Sequence, residues 1–401
     1  MRTRVYRYFQ GTVMLTKRIN TLSESITIAV TALAQELRAQ GKDVISFSAG
    51  EPDFGTPQVI KDAAIKAINE DFTRYTAVDG IPALKQAVCD KLKRDNGLDY
   101  APNQVIVNNG AKHSLFNLMQ ATIEEGDEVI IPAPYWVTYP ELVLYSGGTP
   151  VEIMTDDASG FKITPQQLKA AITPHTKMLI LTTPSNPTGA VYSRDELTAL
   201  AKVLEGTDIL VASDEMYEKL VYAGEFTSAA SISDDMFRRT ITINGLSKSV
   251  AMTGWRFGYM AAADTELIKA TKKLQSQSTS NINSVTQMAA IAGLDGSADA
   301  DIEMMRKAFK ERRDVAVEMF NAIDGLSVLS PDGAFYLFVN IKALSNDSLE
   351  FCKRLLEESE VAVVPGVGFG SEGYFRFSFA TSLENIKEGI NRIESFVKNY
   401  K

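Results

Sequence analysis

The chain has 401 residues, 45% hydrophobic and 23% charged, the balance of a soluble globular protein too long for one ordinary core, so two lobes are expected. Its 41 basic and 50 acidic side chains leave a net charge of −9, without the basic excess that phosphate backbones attract, so nucleic acid is not an expected partner. Cys89 and Cys352 are the only cysteines, and His113 and His175 the only histidines; this argues against a disulfide scaffold and a histidine metal site and suits a reducing, cytoplasmic setting.

The first residues, "MRTRVYRYFQGTVM", carry Arg2, Arg4 and Arg7 but no apolar stretch of the kind a secretory signal needs. The absence of serine weighs against an organellar leader. Residues 1–15 are read as a disordered extension, with Met14 a candidate natural start. Residues 16–55 are expected to pack against the C-terminal part, because the loop "SAGEPDF" (48–54) needs something to hold it. No apolar run approaches the roughly 18 residues of a membrane span.

From about residue 56 to 300, short β-rich runs alternate with helical periods. "QVIVNNG" (104–110), "DEVIIP" (127–132), "KMLILTTP" (177–184), "DILVASDE" (208–215), "TITING" (240–245) and "FGYMAAA" (257–263) read as strands. Several are apolar on both faces, as buried parallel strands are. Stretches 111–124, 165–172 and 194–205 are long enough for the crossover helices such strands require. The expectation is an α/β domain with a mostly parallel sheet covered by helices. Residues 301–401 read differently: a long charged helix from residue 301, then "GAFYLFVNI", "AVVPG" and "YFRFSFA", with helices over 348–359 and 384–398. This predicts a smaller α+β domain.

Two motifs fail on context. "GFGSEG" (368–373) matches a dinucleotide-binding pattern, but that pattern must open a helix. The next residues instead alternate Phe375, Phe377 and Phe379 with Tyr374, Arg376 and Ser378, and period two means strand. "GLSKS" (245–249) resembles the end of a P-loop, yet Ser247 and Thr242 stand where that loop needs glycine.

Open α/β sheets bind ligands beyond the carboxyl ends of their strands. In order, those ends carry Gly110-Ala111-Lys112, Trp136, Asn186 before Pro187, Asp214 with Tyr217, and Lys248. Singly, each has an ordinary explanation: a turn glycine, a helix cap, a core tryptophan. Together they describe one ligand. A helix start near residue 111 and Arg256 suit a phosphate, and Trp136 suits a flat ring. Asp214 can pair with a pyridine nitrogen, Tyr217 and Asn186 with a ring oxygen, and Lys248 can form an imine with an aldehyde. Those are the requirements of pyridoxal 5'-phosphate.

With these residues in place, the chain resembles the fold-type I, class I aminotransferases, and within them the bacterial Iβ-like aspartate aminotransferases, over roughly residues 16–398. "SAGEPDF", "YTAVDGIPALKQAV", "SNPTGAVYS", "SDEMYE", "SKSVAMTGWRFGY" and "FRFSFATS" occur in that family's order. The resemblance implies that Lys248 holds the cofactor, Asp214 pairs with its ring nitrogen, and Tyr217 and Asn186 bind its ring oxygen. It implies that Trp136 stacks on the ring and that Gly110, Ala111, Lys112, Ser247 and Arg256 bind the phosphate. Tyr75 would join them from the second subunit of a homodimer with shared active sites. Arg376, Asn186, Trp136 and Gly50 would receive the substrate, and Lys112, Ser25 and Thr27 would read an acidic side chain. Relatives often have glycine or serine where Ala111 stands, a tolerable change because the contacts there are backbone amides.

The chemistry implied is transfer of an amino group between aspartate and 2-oxoglutarate by alternating half-reactions, with small amino and 2-oxo acids as partners. A free lysine titrates near about 10.4, so Lys248 must be shifted down to react as an amine. Prephenate or aromatic substrates, or another reaction such as C–S lysis, stay open. A cofactor-binding gene regulator is disfavoured by the charge and by the short segment ahead of the domain.

Overall fold

A computed structural model describes residues 15–400; of the extension read over residues 1–15, all but Leu15 lies outside the described residues. The strands are β1 (Ile45–Ser46), β2 (Val105–Asn108), β3 (Glu128–Ala133), β4 (Thr149–Met154), β5 (Thr176–Thr182), β6 (Leu210–Asp214), β7 (Thr240–Gly245), β8 (Gly258–Ala262), β9 (Tyr336–Asn340), β10 (Val361–Ala362), β11 (Val364–Pro365) and β12 (Tyr374–Ser378). Seven of them form one sheet in the order β2-β8-β7-β6-β5-β3-β4. Its central strands β6, β7 and β8 are buried almost throughout. Burial on both faces is why β8 reads as an apolar run; β7 is buried as fully although Thr240, Thr242 and Asn244 alternate with its isoleucines.

Two features of the sheet differ from the sequence reading. β8 runs antiparallel to both β7 and β2. A parallel return needs a crossover of a dozen or more residues, usually a helix, and residues 246–257 between β7 and β8 contain none. β4 is an additional strand, parallel to β3 at the sheet edge. Its half-exposed sequence, "TPVEIM", gives a weak strand signal, and Gly147, Gly148 and Pro150 around its start signal a turn instead.

The first helices are α1 (Ile26–Ala39), α2 (Gln58–Asn69), α3 (Pro82–Asn96), α4 (Ala111–Thr122) and α5 (Thr138–Ser146). Their ends obey local chemistry. α3 begins at Pro82, where a missing N–H costs nothing, and stops at Gly97 in the left-handed conformation. The crossover helix Arg194–Leu204 is closed by a reciprocal capping box between Ser193 and Glu196.

Beyond the long helix Asp299–Asn321, a three-stranded antiparallel sheet β11-β12-β9 lies with helices Ser348–Ser359 and Leu383–Asn399. The segment before residue 55 packs on this part of the chain. β1 pairs in parallel with β10, and the Phe47 ring stacks on Phe377 with centroids 4.0 Å apart. A Cβ at Gly389 would come within 2.3 Å of the Phe47 ring, so the last helix can approach only because that residue lacks a side chain. This packing carries the 48–54 loop across to the mouth of the large sheet.

Candidate active site

At the carboxyl ends of the parallel strands lies a cavity of about 380 Å³. All the residues singled out in the sequence border it except Gly110 and Tyr75. Gly110 stands directly behind its wall. Tyr75, on the connection between α2 and α3, is 92% exposed.

One end of the cavity is built around the start of α4. Gly110 caps the helix at φ +84°, and a Cβ there would come within 2.4 Å of the Arg256 guanidinium. A second glycine, Gly258 at the start of β8, approaches so closely that its Cβ would meet the Ala111 nitrogen at 2.4 Å. Gly258 therefore needs glycine on steric grounds, because it meets backbone, whereas Gly110 needs it for its backbone conformation, and a side chain there would also displace the Arg256 guanidinium. The leading N–H groups of a helix have no partner within it, so those of Ala111 and Lys112 are available at this end. Arg256 is itself held at φ +58°, with Nη1 donating to the Thr253 carbonyl at 2.8 Å and Nη2 to that of Asn109 at 3.3 Å. The left-handed backbone costs a non-glycine residue about 1–3 kcal/mol, and here it turns a cation toward the helix start. Lys112 is exposed as a residue, and its amine sits 4.8 Å from the Trp136 ring centroid. Burial, then the neighbouring Arg256 charge, pull that amine below its usual range.

Lys248 stands on the helix-free loop between β7 and β8 and donates to the Gly50 carbonyl. Burial pushes its amine down to about 8; Glu51 opposes this, and Arg376 and Arg256 add to it. Asp214, at the end of β6, is 5% exposed. Its Oδ2 accepts from Tyr139 Oη at 2.8 Å and its Oδ1 from the Met216 N–H at 3.2 Å. Tyr217 Oη lies 2.8 Å from Tyr336 Oη, and burial, followed by the second phenol, holds Tyr217 in its neutral form.

The far wall comes from the C-terminal sheet. Arg376 on β12 is 2% exposed, with Nη1 donating to Asn186 Oδ1 at 3.0 Å and Nη2 to the Ser48 carbonyl at 2.7 Å. Its Nε has no partner, and among the described residues no carboxylate lies within the 4.0 Å of an ion pair. The guanidinium rests against the Tyr336 ring at 4.5 Å and the Phe369 ring at 5.1 Å. Ser25 and Thr27, at the start of α1, line the entrance. This is a charged cavity with a nucleophilic amine, an anion cradle at one end and an unneutralised arginine at the other.

Comparison with known proteins gives the family. Residues 42–393 match the family model described as aminotransferase class I and II. The chain belongs to that family. An aspartate aminotransferase of Bacillus sp. strain YM-2 is 50% identical over 96% of this chain and 99% of its own length. An aspartate/prephenate aminotransferase of Nitrosomonas europaea is 48% identical over the same shares. Among solved structures, the aspartate aminotransferase of Rhizobium meliloti superposes with a TM-score of 0.94 at 42% identity, covering 97% of this chain and all of that one. The Thermus thermophilus enzyme with maleate reaches 0.92, again at 42% identity, over 96% of this chain and 100% of that one.

The cavity also contains residues absent from the sequence reading. Tyr139 and Thr182 line it, Tyr336 faces Tyr217, and Thr253 Oγ1 donates to Glu51 at 2.8 Å. Tyr139 had a local signal. It stands three residues after Trp136, a spacing that puts side chains on one face of a helical turn, and the two rings meet edge to face at 5.5 Å. Tyr336 had none, since its place opposite Tyr217 depends on a contact spanning 119 residues.

Proposed function

We propose that this aminotransferase exchanges an amino group between aspartate and 2-oxoglutarate, giving oxaloacetate and glutamate, with pyridoxal 5'-phosphate as its cofactor. The observation that carries the substrate class is Arg376. A buried guanidinium is stable when a carboxylate neutralises it, and this one turns instead into a cavity whose opposite side holds a reactive amine. A substrate α-carboxylate fits the fork in two parallel hydrogen bonds. Lys112, Ser25 and Thr27 supply a cation and hydroxyls for a second carboxylate at the entrance. A solved relative complexed with maleate, a dicarboxylate, agrees with that reading.

The residues also fit the cofactor. The cradle of Gly110, Ala111, Lys112 and Arg256, with Ser247 beside Lys248, would take its phosphate; Trp136 would cover its ring. Asn186 and Tyr217 would hold the ring oxygen and Asp214 the ring nitrogen. When bound, pyridoxal phosphate supplies an aldehyde for Lys248 and an electron sink for the substrate. The Lys248 amine would accept the proton from the substrate α-carbon. Its low pKa matters here, because only the neutral amine accepts a proton. Asp214 would keep a proton on the ring nitrogen, Tyr217 would orient the ring oxygen, and Arg376 would orient the substrate carboxylate.

Two further parts belong to this reading. Tyr75, an exposed aromatic at the tip of a loop, would complete the phosphate site of a second copy in a homodimer. The division at about residues 55 and 300 separates a cofactor-binding domain from a smaller one that brings Arg376 and the 48–54 loop. Among the described residues no helix is long and apolar enough to cross a membrane; with two free cysteines, a cytoplasmic location is proposed.

The test is direct. Purified protein with aspartate and 2-oxoglutarate is expected to form oxaloacetate, and borohydride reduction with subsequent peptide mapping should place a pyridoxyl group on Lys248. A robust pyridoxyl adduct without oxaloacetate would keep the cofactor assignment and remove the substrate.

A further inference from the structure

The geometry points to a role for Tyr139 and Thr182 that extends the cofactor assignment: they form a two-step hydrogen-bond relay that holds Asp214 as a carboxylate aimed at the cofactor's ring nitrogen. The inference rests on the pyridoxal phosphate reading. Tyr139 enters from the first turn of α5 and is 2% exposed; its oxygen lies 2.8 Å from Asp214 Oδ2 and 2.7 Å from Thr182 Oγ1. A phenol has one proton. If Tyr139 donates to the carboxylate, Thr182 must donate to Tyr139, and the direction of the whole chain is fixed. Thr182 and Asp214 are paired across β5 and β6, so the relay joins three elements and ends on the carboxylate.

Asp214 needs this support. It is nearly buried, and no lysine or arginine lies within ion-pair distance among the described residues. Its second oxygen accepts only the Met216 N–H at a long 3.2 Å. An unsupported carboxylate in such a place takes up a proton, and a neutral acid could not keep a ring nitrogen protonated. Burial lifts the Asp214 carboxyl above its ordinary range, and the Tyr139 bond is the largest influence opposing that rise. Burial, with the Asp214 charge behind it, holds the phenol well above its usual range, so it stays a donor. Tyr139 is thus a positioning residue acting through Asp214.

The experiment strips the cofactor from the full-length enzyme and titrates it back with pyridoxal phosphate or with its 1-deaza analogue, which has carbon in place of the ring nitrogen. In the wild-type chain the natural cofactor should bind more tightly than the analogue. Tyr139→Phe keeps the ring and loses the donor. It should weaken natural-cofactor binding by about 10- to 100-fold, the range for one hydrogen bond to a charged group, while the analogue changes little. Thr182→Val should shift the same ratio in the same direction by less. Circular dichroism checks that each variant is folded. Equal losses for cofactor and analogue would make Tyr139 a packing residue and overturn the relay, as would no loss at all. Failure of the wild-type chain to take up pyridoxal phosphate would instead remove the parent assignment, and the relay with it.

Discussion

Arg376 and Arg239 occupy opposite situations at the same depth. Both are buried, at 2% and 8% exposure. Arg239, at the end of the short helix Asp234–Arg239, is saturated: Nε and Nη2 pair with the Asp235 carboxylate at 2.8 and 3.0 Å, and Nη1 reaches the carbonyls of Thr207 and Ile209. Arg376 has one amide oxygen, one carbonyl and an orphaned Nε. The same contrast holds for lysines. Lys91 is closed off by Glu218 and by Asn96 Oδ1 at 2.8 Å, whereas Lys248 has only a carbonyl. Charges that serve the fold come with their counter-charge. Those facing the cavity leave that place for a ligand.

The sharpest test of this contrast exchanges the two arginines for leucine. Arg376→Leu should lower kcat/KM for aspartate by about 10²–10⁴-fold, since two charge-assisted hydrogen bonds at about 1.5–3 kcal/mol each are lost, while thermal stability changes little or rises. Arg239→Leu should do the reverse, costing stability and leaving kcat/KM of the folded protein unchanged. Steady-state kinetics beside urea titration would check both. Equal kinetic damage from the two would abolish the distinction.

A second test concerns the saturated region. Lys91→Met strands Glu218, which is buried beside Glu215, a carboxyl already pushed up to about 7 by burial and next by Glu218 itself. Breaking a buried pair from one side costs about 3–5 kcal/mol, whereas replacing both partners by apolar groups is often nearly neutral. Urea unfolding should therefore show a large loss for Lys91→Met and recovery of most of it in Lys91→Met with Glu218→Leu. A double variant as unstable as the single one would mean the pair contributes more than mutual neutralisation.

The same difference between regions explains what was legible in the sequence. The buried strands announce themselves because "MLIL" (178–181) and "ILVA" (209–212) are apolar on both faces while "TITING" keeps the period of two, and each strand end places its chemistry at a predictable side of the sheet. Strand direction is not written in such runs, so the reversal of β8 could be inferred only from the absence of a helix between Lys248 and Gly258. The alternation around Arg376 establishes a strand but not which face it shows. That depends on pairing with β9 in the register Arg376 to Phe338. Tyr139 and Asp214 are 75 residues apart, and neither α5 nor β6 carries a sign of the other. Contacts between elements, rather than the elements themselves, are what the sequence leaves unstated.

The smallest expected effect concerns Lys248 in the cofactor-free protein. Its amine titrates at about 8 when folded, against an ordinary value of 10.5. Between those values the unfolded chain binds more protons, so stability rises with pH across that window and the penalty is fully present below pH 8. Replacing Lys248 with methionine removes the penalty. Cofactor-free Lys248→Met should thus be more stable than the cofactor-free wild type at pH 7, by on the order of 2 kcal/mol after allowance for partial solvation. The gap should narrow as pH rises through 8 toward 10, as thermal melts across that range would show. A constant gap would mean that the variant gains from packing, and that the amine carries no charge penalty for the cofactor to relieve.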